Sequence, residues 1–308
     1  MKSIATLTMN PTIDASYDVD RMFHTHKMRT RNEHYEPGGG GINVARVFVR
    51  LGGQARCVYL SGGATGVALD GLLDRHQLVR TRIPIAGATR IAGAVHETET
   101  GKEYRFTPAG PSVSEPEWRA CLDALRDVEA DYLVASGSLP PGVPDDFYAR
   151  AGAILRPRGV ALVVDTSGAA LAATLRAGGI HFVKPSVGEM RQFTGRELAT
   201  TQDIAEAALG LVQAGQADVV AVTLGHLGAV LAHAGGTRFL PALDIEAKSA
   251  VGAGDSFVAT MLFALASGHP ADAAFRWGIA GGAASVLNPG TGLAHPDDIA
   301  RLLPLVAQ

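Results

Sequence analysis

Short apolar runs punctuate this chain. Ile4–Thr8, Tyr132–Ala135, Ala161–Val164, Phe182–Val183 and Val219–Thr223 are often β-branched, and most end at Gly, Ser, Asp or Pro. Unbroken apolarity over so few residues predicts strands buried on both faces, as in a parallel sheet. Between them, Ile42–Leu51, Glu115–Val128, Asp145–Leu155, Thr201–Ala214 and Ala271–Leu287 space apolar residues by three and four, the helical period. Strands alternating with helices imply right-handed βαβ units. The expected fold class is α/β, with a mainly parallel sheet covered on both faces.

Two stretches break that rhythm. Asp14–Glu36 and Ile83–Thr107 are polar and alternate, as in Tyr17-Asp18-Val19 and Tyr104-Arg105-Phe106, with a hairpin tip at Glu99–Lys102. They predict a small β lid inserted into one domain spanning residues 1–308. Ala229–Leu240, turning at Gly235-Gly236, reads as an antiparallel edge hairpin.

The apolar fraction of 47% and charged fraction of 19% exclude a disordered chain. Net charge is −3, from 27 Lys+Arg against 30 Asp+Glu, which argues against a general nucleic-acid or anionic-membrane surface. Any anionic ligand must meet a local cluster of donors. Cys57 and Cys121 are too few for a disulfide scaffold or a Cys₄ zinc site and suit a reducing compartment. The start, MKSIATLTMNPTID, has no signal-peptide core, and Phe257–Ala266 is short of the ~18–20 apolar residues a membrane span needs. A cytoplasmic protein is expected.

In sheets of this kind ligands gather at the carboxyl ends of strands. Asp14, Gly137-Ser138, Asp165, Lys184 and Gly225 all fall there by sequence. The strongest motif is Val251-Gly-Ala-Gly-Asp255, running into the helical face Phe257, Met261, Leu262 and Leu265. A glycine turn at a helix start leaves N–H groups free for phosphate, and Asp255 lies where it can take a proton from an attacking hydroxyl. An Asp N-cap after a glycine turn is the plain alternative. In Glu36-Pro-Gly-Gly-Gly-Gly-Ile-Asn43, four glycines before a helix cost entropy, so close approach of backbone to a ligand is the expected compensation. Neither run fits a Walker loop or a dinucleotide fingerprint. Lys27, Arg29, Arg31, Arg90 and Arg105 lie in or near the lid, where they could bind a phosphorylated substrate or form a solvated face.

Taken together, Asn10–Asp14, Gly38–Gly41 with Asn43, Ser136–Gly142, Lys184-Pro185, Thr223–Gly228 and Val251–Asp255 resemble the PfkB (ribokinase-like) sugar-kinase family over essentially the whole chain. The resemblance implies a three-layer α/β/α fold and ATP-dependent phosphorylation of D-fructose 6-phosphate at its 1-hydroxyl, giving fructose 1,6-bisphosphate. EPGGGGINVAR carries much of that substrate expectation. Relatives acting on fructose 1-phosphate or tagatose 6-phosphate typically place a Lys within this glycine run. By the same resemblance Asp255 is the base, and Gly252, Ala253 and Gly254 form the anion hole. Asp14, Gly39 and Asn43 hold sugar hydroxyls, with Lys27, Arg90, Arg105 and Ser138 around the sugar phosphate. Lys184, Ser186, Thr223, Gly225 and Gly228 line the ATP site, and Glu189 organises Mg²⁺ through water. Backbone oxygens near Ser249, Val251, Ser285, Asn288 and Gly290 resemble a monovalent-cation (K⁺) site. The lid is expected to pair with a second lid in a homodimer.

Two positions depart from the family pattern. Its Asn-x-x-Glu reads Ser186-Val-Gly-Glu189, which keeps a hydroxyl but loses an amide, and position 23 is Phe where close members carry Tyr. The rival readings are a tagatose-6-phosphate or 1-phosphofructokinase activity, a catalytically silent sugar-phosphate sensor, and, more remotely, an NAD-dependent dehydrogenase.

Overall fold

The computed structural model describes residues 1–288 and 290–307. In chain order its elements are β1 (Ile4–Thr8), β2 (Thr12–Val19), β3 (Arg31–Gly38), α1 (Gly40–Arg50), β4 (Ala55–Ser61), α2 (Gly63–Leu73), β5 (Val79–Pro84), β6 (Arg90–Glu97), β7 (Lys102–Phe106), α3 (Glu115–Leu125), β8 (Tyr132–Ser136), α4 (Phe147–Leu155), β9 (Ala161–Asp165), α5 (Gly168–Ala177), β10 (Ile180–Val183), α6 (Val187–Thr194), α7 (Thr201–Gln213), β11 (Ala217–Thr223), β12 (Ala229–His233), β13 (Gly236–Leu240), α8 (Ala253–Ala266), α9 (Ala271–Val286) and α10 (Pro296–Leu302). Among the described residues the strands form two sheets. The larger runs β13-β12-β11-β10-β9-β8-β1-β4-β5 and is parallel except for the antiparallel pairs β11–β12 and β12–β13. The smaller, β3-β2-β6-β7, pairs β2 with β6 in parallel and is antiparallel on both sides.

The central strands bury both faces, which is why they read as continuous apolar runs. In β8, Leu133 and Ala135 enter one core while Tyr132 and Val134 enter the other. Helices α3 to α7 cover the first face with Trp118, Phe147, Leu171, Met190 and Leu211. Helices α1, α2, α8, α9 and α10 cover the second with Phe48, Leu69, Met261, Phe275 and Ile299. The result is three layers, and truncating one of the aromatic residues to Ala costs ~3–5 kcal/mol.

The first lid stretch, expected at 14–36, corresponds to β2 and β3, residues 12–38. The second begins later than expected. Ile83 and Pro84 close β5, the edge strand of the main sheet, and Ile83 is buried in the first core. Edge position explains the misreading: Arg80 and Arg82 face outward to Asp74 and Asp70, giving the alternation of a lid strand. The turn at Glu99–Lys102 and the hairpin at Ala229–Leu240 lie where expected. Among the described residues, no helix is long and apolar enough to cross a membrane.

Candidate active site

Helix α8 begins where β1, β8, β9 and β10 end. Gly252 caps it at φ +73°, a conformation that favours glycine, and a Cβ there would come within 2.6 Å of Leu293 Cδ2. The first helical bond runs from Ser256 N–H to Gly252 O (2.9 Å). The amides of Ala253, Gly254 and Asp255 thus have no partner inside the helix. Lys184 Nζ lies over this turn, 3.2 Å from where a Cβ on Gly254 would stand. Free amides, a helix dipole and an ammonium together form an anion site.

Asp255 stands in the first turn of α8. Asn43, in the first turns of α1, donates Nδ2 to Asp255 Oδ2 at 2.9 Å. Removal from water, together with the charge of Asp165, pushes the Asp255 carboxyl up to about 7. Lys184 Nζ pairs with Asp165 Oδ1 at 3.0 Å in a nearly buried position. Burial opposes the ammonium's charge, but Asp165, Glu189 and Asp255 outweigh it and hold Lys184 above its ordinary pKa.

The glycine run does two jobs, one of them not expected. Gly40 and Gly41 lie inside α1, where a Cβ would overlap Ser136 Oγ or stand 2.5 Å from Thr8 Oγ1. Tight packing of α1 on the ends of β1 and β8 therefore compensates for these two glycines. Gly39, at φ +106°, lines the cleft. Gly38 supports Asp14, whose carboxyl occupies the space of any side chain at 38.

The cleft encloses about 380 Å³ between the main layer and the lid. Asp14, Gly39, Asn43, Arg90, Arg105, Ser138, Glu189, Val251 and Asp255 line it. Burial pushes Asp14 up to about 6, while Arg90 and Arg46 hold it from rising further. Arg90 donates to Pro108 O (2.9 Å) and Asn10 O (2.8 Å), clasping two crossings between lid and main layer. Arg105 is half exposed and donates Nε to Glu103 Oε1 at 2.6 Å. Ser138 Oγ accepts from Asn10 Nδ2 at 3.3 Å.

Ser186 and Glu189 form the capping box of α6. Ser186 Oγ accepts from Glu189 N–H (3.2 Å), and Glu189 Oε2 accepts from Ser186 N–H (2.7 Å). The serine is therefore a helix cap that aims Glu189 at the cleft. Thr223 joins this turn through its N–H to Pro185 O (2.9 Å), ahead of the Gly225–Gly228 turn, where Leu224 N–H meets Gly228 O (2.8 Å). Ser249, Val251 and Ser285 also converge. Ser285 Oγ lies 3.4 Å from Val251 O and 3.3 Å from Gly292 O, and Asn288 Nδ2 donates to Leu293 O at 3.3 Å. Gly290, at φ +60°, packs against Ser16 of the lid.

Lys27 is not brought in: it lies on the exposed 20–30 connection, outside the cleft of its own chain, as does Phe23. Asp165, at a strand end where ligands are expected to gather, lines the cleft without having been given a role, as does Ser136 of the Ser136–Gly142 motif, whereas Thr291 carried no sequence mark. The hydroxyls of Ser136 and Thr291 are buried with no hydrogen-bond partner among the described residues.

A three-layer sheet with a β lid over an amide-lined helix start defines a ribokinase-like sugar kinase. The pfkB family carbohydrate kinase model matches residues 7–298, and the chain belongs to that family. It is 42% identical to the ATP-dependent 6-phosphofructokinase isozyme 2 of Mycobacterium tuberculosis strain H37Rv, covering 99% of this chain and 90% of that protein. The Escherichia coli phosphofructokinase-2 structure in complex with potassium superimposes with a TM-score of 0.95 at 35% identity, covering 99% of both chains. The same enzyme in complex with fructose-6-phosphate gives 0.94 at 34% identity, covering both chains fully.

Proposed function

We propose that this chain transfers the γ-phosphoryl group of ATP to the 1-hydroxyl of D-fructose 6-phosphate. The observation that carries this reading is the Asp255 carboxyl, fixed by Asn43 beside the free amides of α8 and facing the Asp14–Arg90 end of the cleft. Asp255 accepts the hydroxyl proton, and its pKa of about 7 suits a base working near neutrality. The amides of Ala253 and Gly254, with Lys184, take up charge on the transferring group. Asp14 and Asn43 hold sugar hydroxyls. Arg90 and Arg105 supply cationic donors for the 6-phosphate.

The hard oxygen donors Glu189 and Asp165 suit Mg²⁺ held through water, and the capping bond to Ser186 already orients Glu189. Bound there, Mg²⁺ would neutralise phosphate charge. The loop carbonyls around Ser249 and Val251, with Ser285 in the last turn of α9, have the chemistry to hold K⁺. The exposed lid residues Phe23, Tyr35, Ile91 and Phe106 favour a lid-to-lid homodimer, across which Lys27 would have to reach any sugar phosphate. Free, buried thiols at Cys57 and Cys121 fit a cytoplasmic setting.

A coupled ADP-release assay over fructose 6-phosphate, tagatose 6-phosphate and fructose 1-phosphate tests the proposal. Fructose 6-phosphate should give the highest kcat/KM. Preference for either other sugar, or no turnover at all, would reject it.

A further inference from the structure

The lid root holds an electrostatic problem and its answer. Asp14 on β2 and Glu36 on β3 are direct partners across an antiparallel pair, so their carboxylates share one face. Like charges so placed repel and destabilise the pair. Arg46, reaching from α1, is 3% exposed; it pairs with Glu36 and donates to Pro37 O at 2.8 Å. Its Nε is buried with no hydrogen-bond partner among the described residues, and its charge also bears on Asp14. We propose that Arg46 is a positioning residue: by pairing with Glu36 directly across the strand pair from Asp14, it joins the two opposed carboxylates into one charge triad that holds Asp14 to accept a sugar hydroxyl. The proposal rests on the sugar-kinase reaction above and adds a residue that touches no substrate.

The other charged groups around the triad come from several elements. Arg90 from β6 and Asp255 from α8 bear on Asp14, with the Thr12 hydroxyl beside it. Glu36 has His34 Nε2 at 2.9 Å, His76 Nε2 at 3.6 Å, and Arg50 further along α1. Burial pushes Asp14 up to about 6; burial opposes the charge of Glu36 too, but His76 and the Arg46 guanidinium hold it down at about 2. Without Arg46, the carboxyl nearer its titration point, Asp14, takes the proton.

The test uses the full chain with ATP and fructose 6-phosphate. Arg46→Met should raise KM for the sugar about tenfold or more and leave KM for ATP within about twofold. The acid limb of kcat/KM should move to higher pH. Adding Glu36→Gln removes the opposing charge, so the double variant should recover several-fold in KM and return the limb toward its original pH. An equal rise in both KM values, or a double variant worse than Arg46→Met, overturns the triad. If Arg46→Met does not fold, Glu36→Gln alone decides, since the limb should move to lower pH and an unmoved limb refutes the proposal. Wild-type protein that fails to phosphorylate fructose 6-phosphate refutes the reaction instead. The triad is then tested through the pH dependence of sugar-phosphate binding by calorimetry, with the same expected shifts.

Discussion

The floor and the roof of the cleft hold their charges differently. On the floor, Lys184, Asp165, Asn43 and Asp255 sit at strand ends and helix starts of the main layer, in mutual contacts of 2.9–3.0 Å. On the roof, Arg105 is half exposed and tied to Glu103 of its own strand, while Arg90 spends donors on two carbonyls. Groups on the floor are already set for charge that develops during reaction. Groups on the roof must share or exchange partners when a ligand arrives. Floor substitutions should therefore act on kcat, and roof substitutions on KM.

The largest expected effect tests the floor. Asp255→Asn should lower kcat by ~10²–10⁴-fold, because an amide cannot take the proton. Steady-state kinetics check this, and retention of more than about a tenth of wild-type kcat would remove Asp255 as the base. The same variant should melt higher than wild type at pH 8. A carboxyl whose pKa rises from 3.8 to about 7 on folding makes the folded state lose stability as pH climbs through that window. The gain should shrink towards pH 4, measurable by thermal denaturation across pH.

Arg90→Ala comes next. A charge-assisted contact is worth ~1.5–3 kcal/mol, so KM for fructose 6-phosphate should rise ten- to a hundredfold while KM for ATP stays nearly constant. Equal changes in both would erase the division between roof and floor.

Titration of the wild type gives a gentler effect. Activity should rise with pH as Asp14 and then Asp255 lose their protons, with midpoints near 6 and 7. A flat kcat/KM profile from pH 5.5 to 8 would contradict both roles.

The smallest effect concerns Ser186→Asn. Both residues cap helices well, so stability should hardly change. The added amide should lower the Mg²⁺ needed for half-maximal activity a few-fold, and Glu189→Gln should raise it. Superimposable Mg²⁺ curves for wild type and Ser186→Asn would exclude position 186 from ordering the metal.

Much of the floor was legible because it obeys local rules. Central strands bury both faces, and Gly252–Asp255 announces a helix start with free amides. The roof was harder to read. Ile83 looked like lid because an edge strand alternates just as a lid strand does. Gly41 looked like a ligand contact because sequence does not show how closely α1 lies on Thr8, whereas Gly40 packs on Ser136 and also lines the cleft. Arg46 closes the EPGGGGINVAR run but was given no role there, since its importance comes from the register that sets Asp14 against Glu36.

Four carboxylates line the cleft, Asp14, Asp165, Glu189 and Asp255, against the two guanidiniums of Arg90 and Arg105. An anionic substrate approaching from solvent therefore meets no basic funnel to speed its encounter. Capture depends on short-range donors, Arg90 and Arg105 for the sugar phosphate and the α8 amides with Lys184 for the transferring group, which act only once the ligand is seated. Association should then proceed at the ordinary rate of unsteered docking and respond weakly to ionic strength, unlike the steep salt dependence of sites that draw in their ligands by long-range attraction.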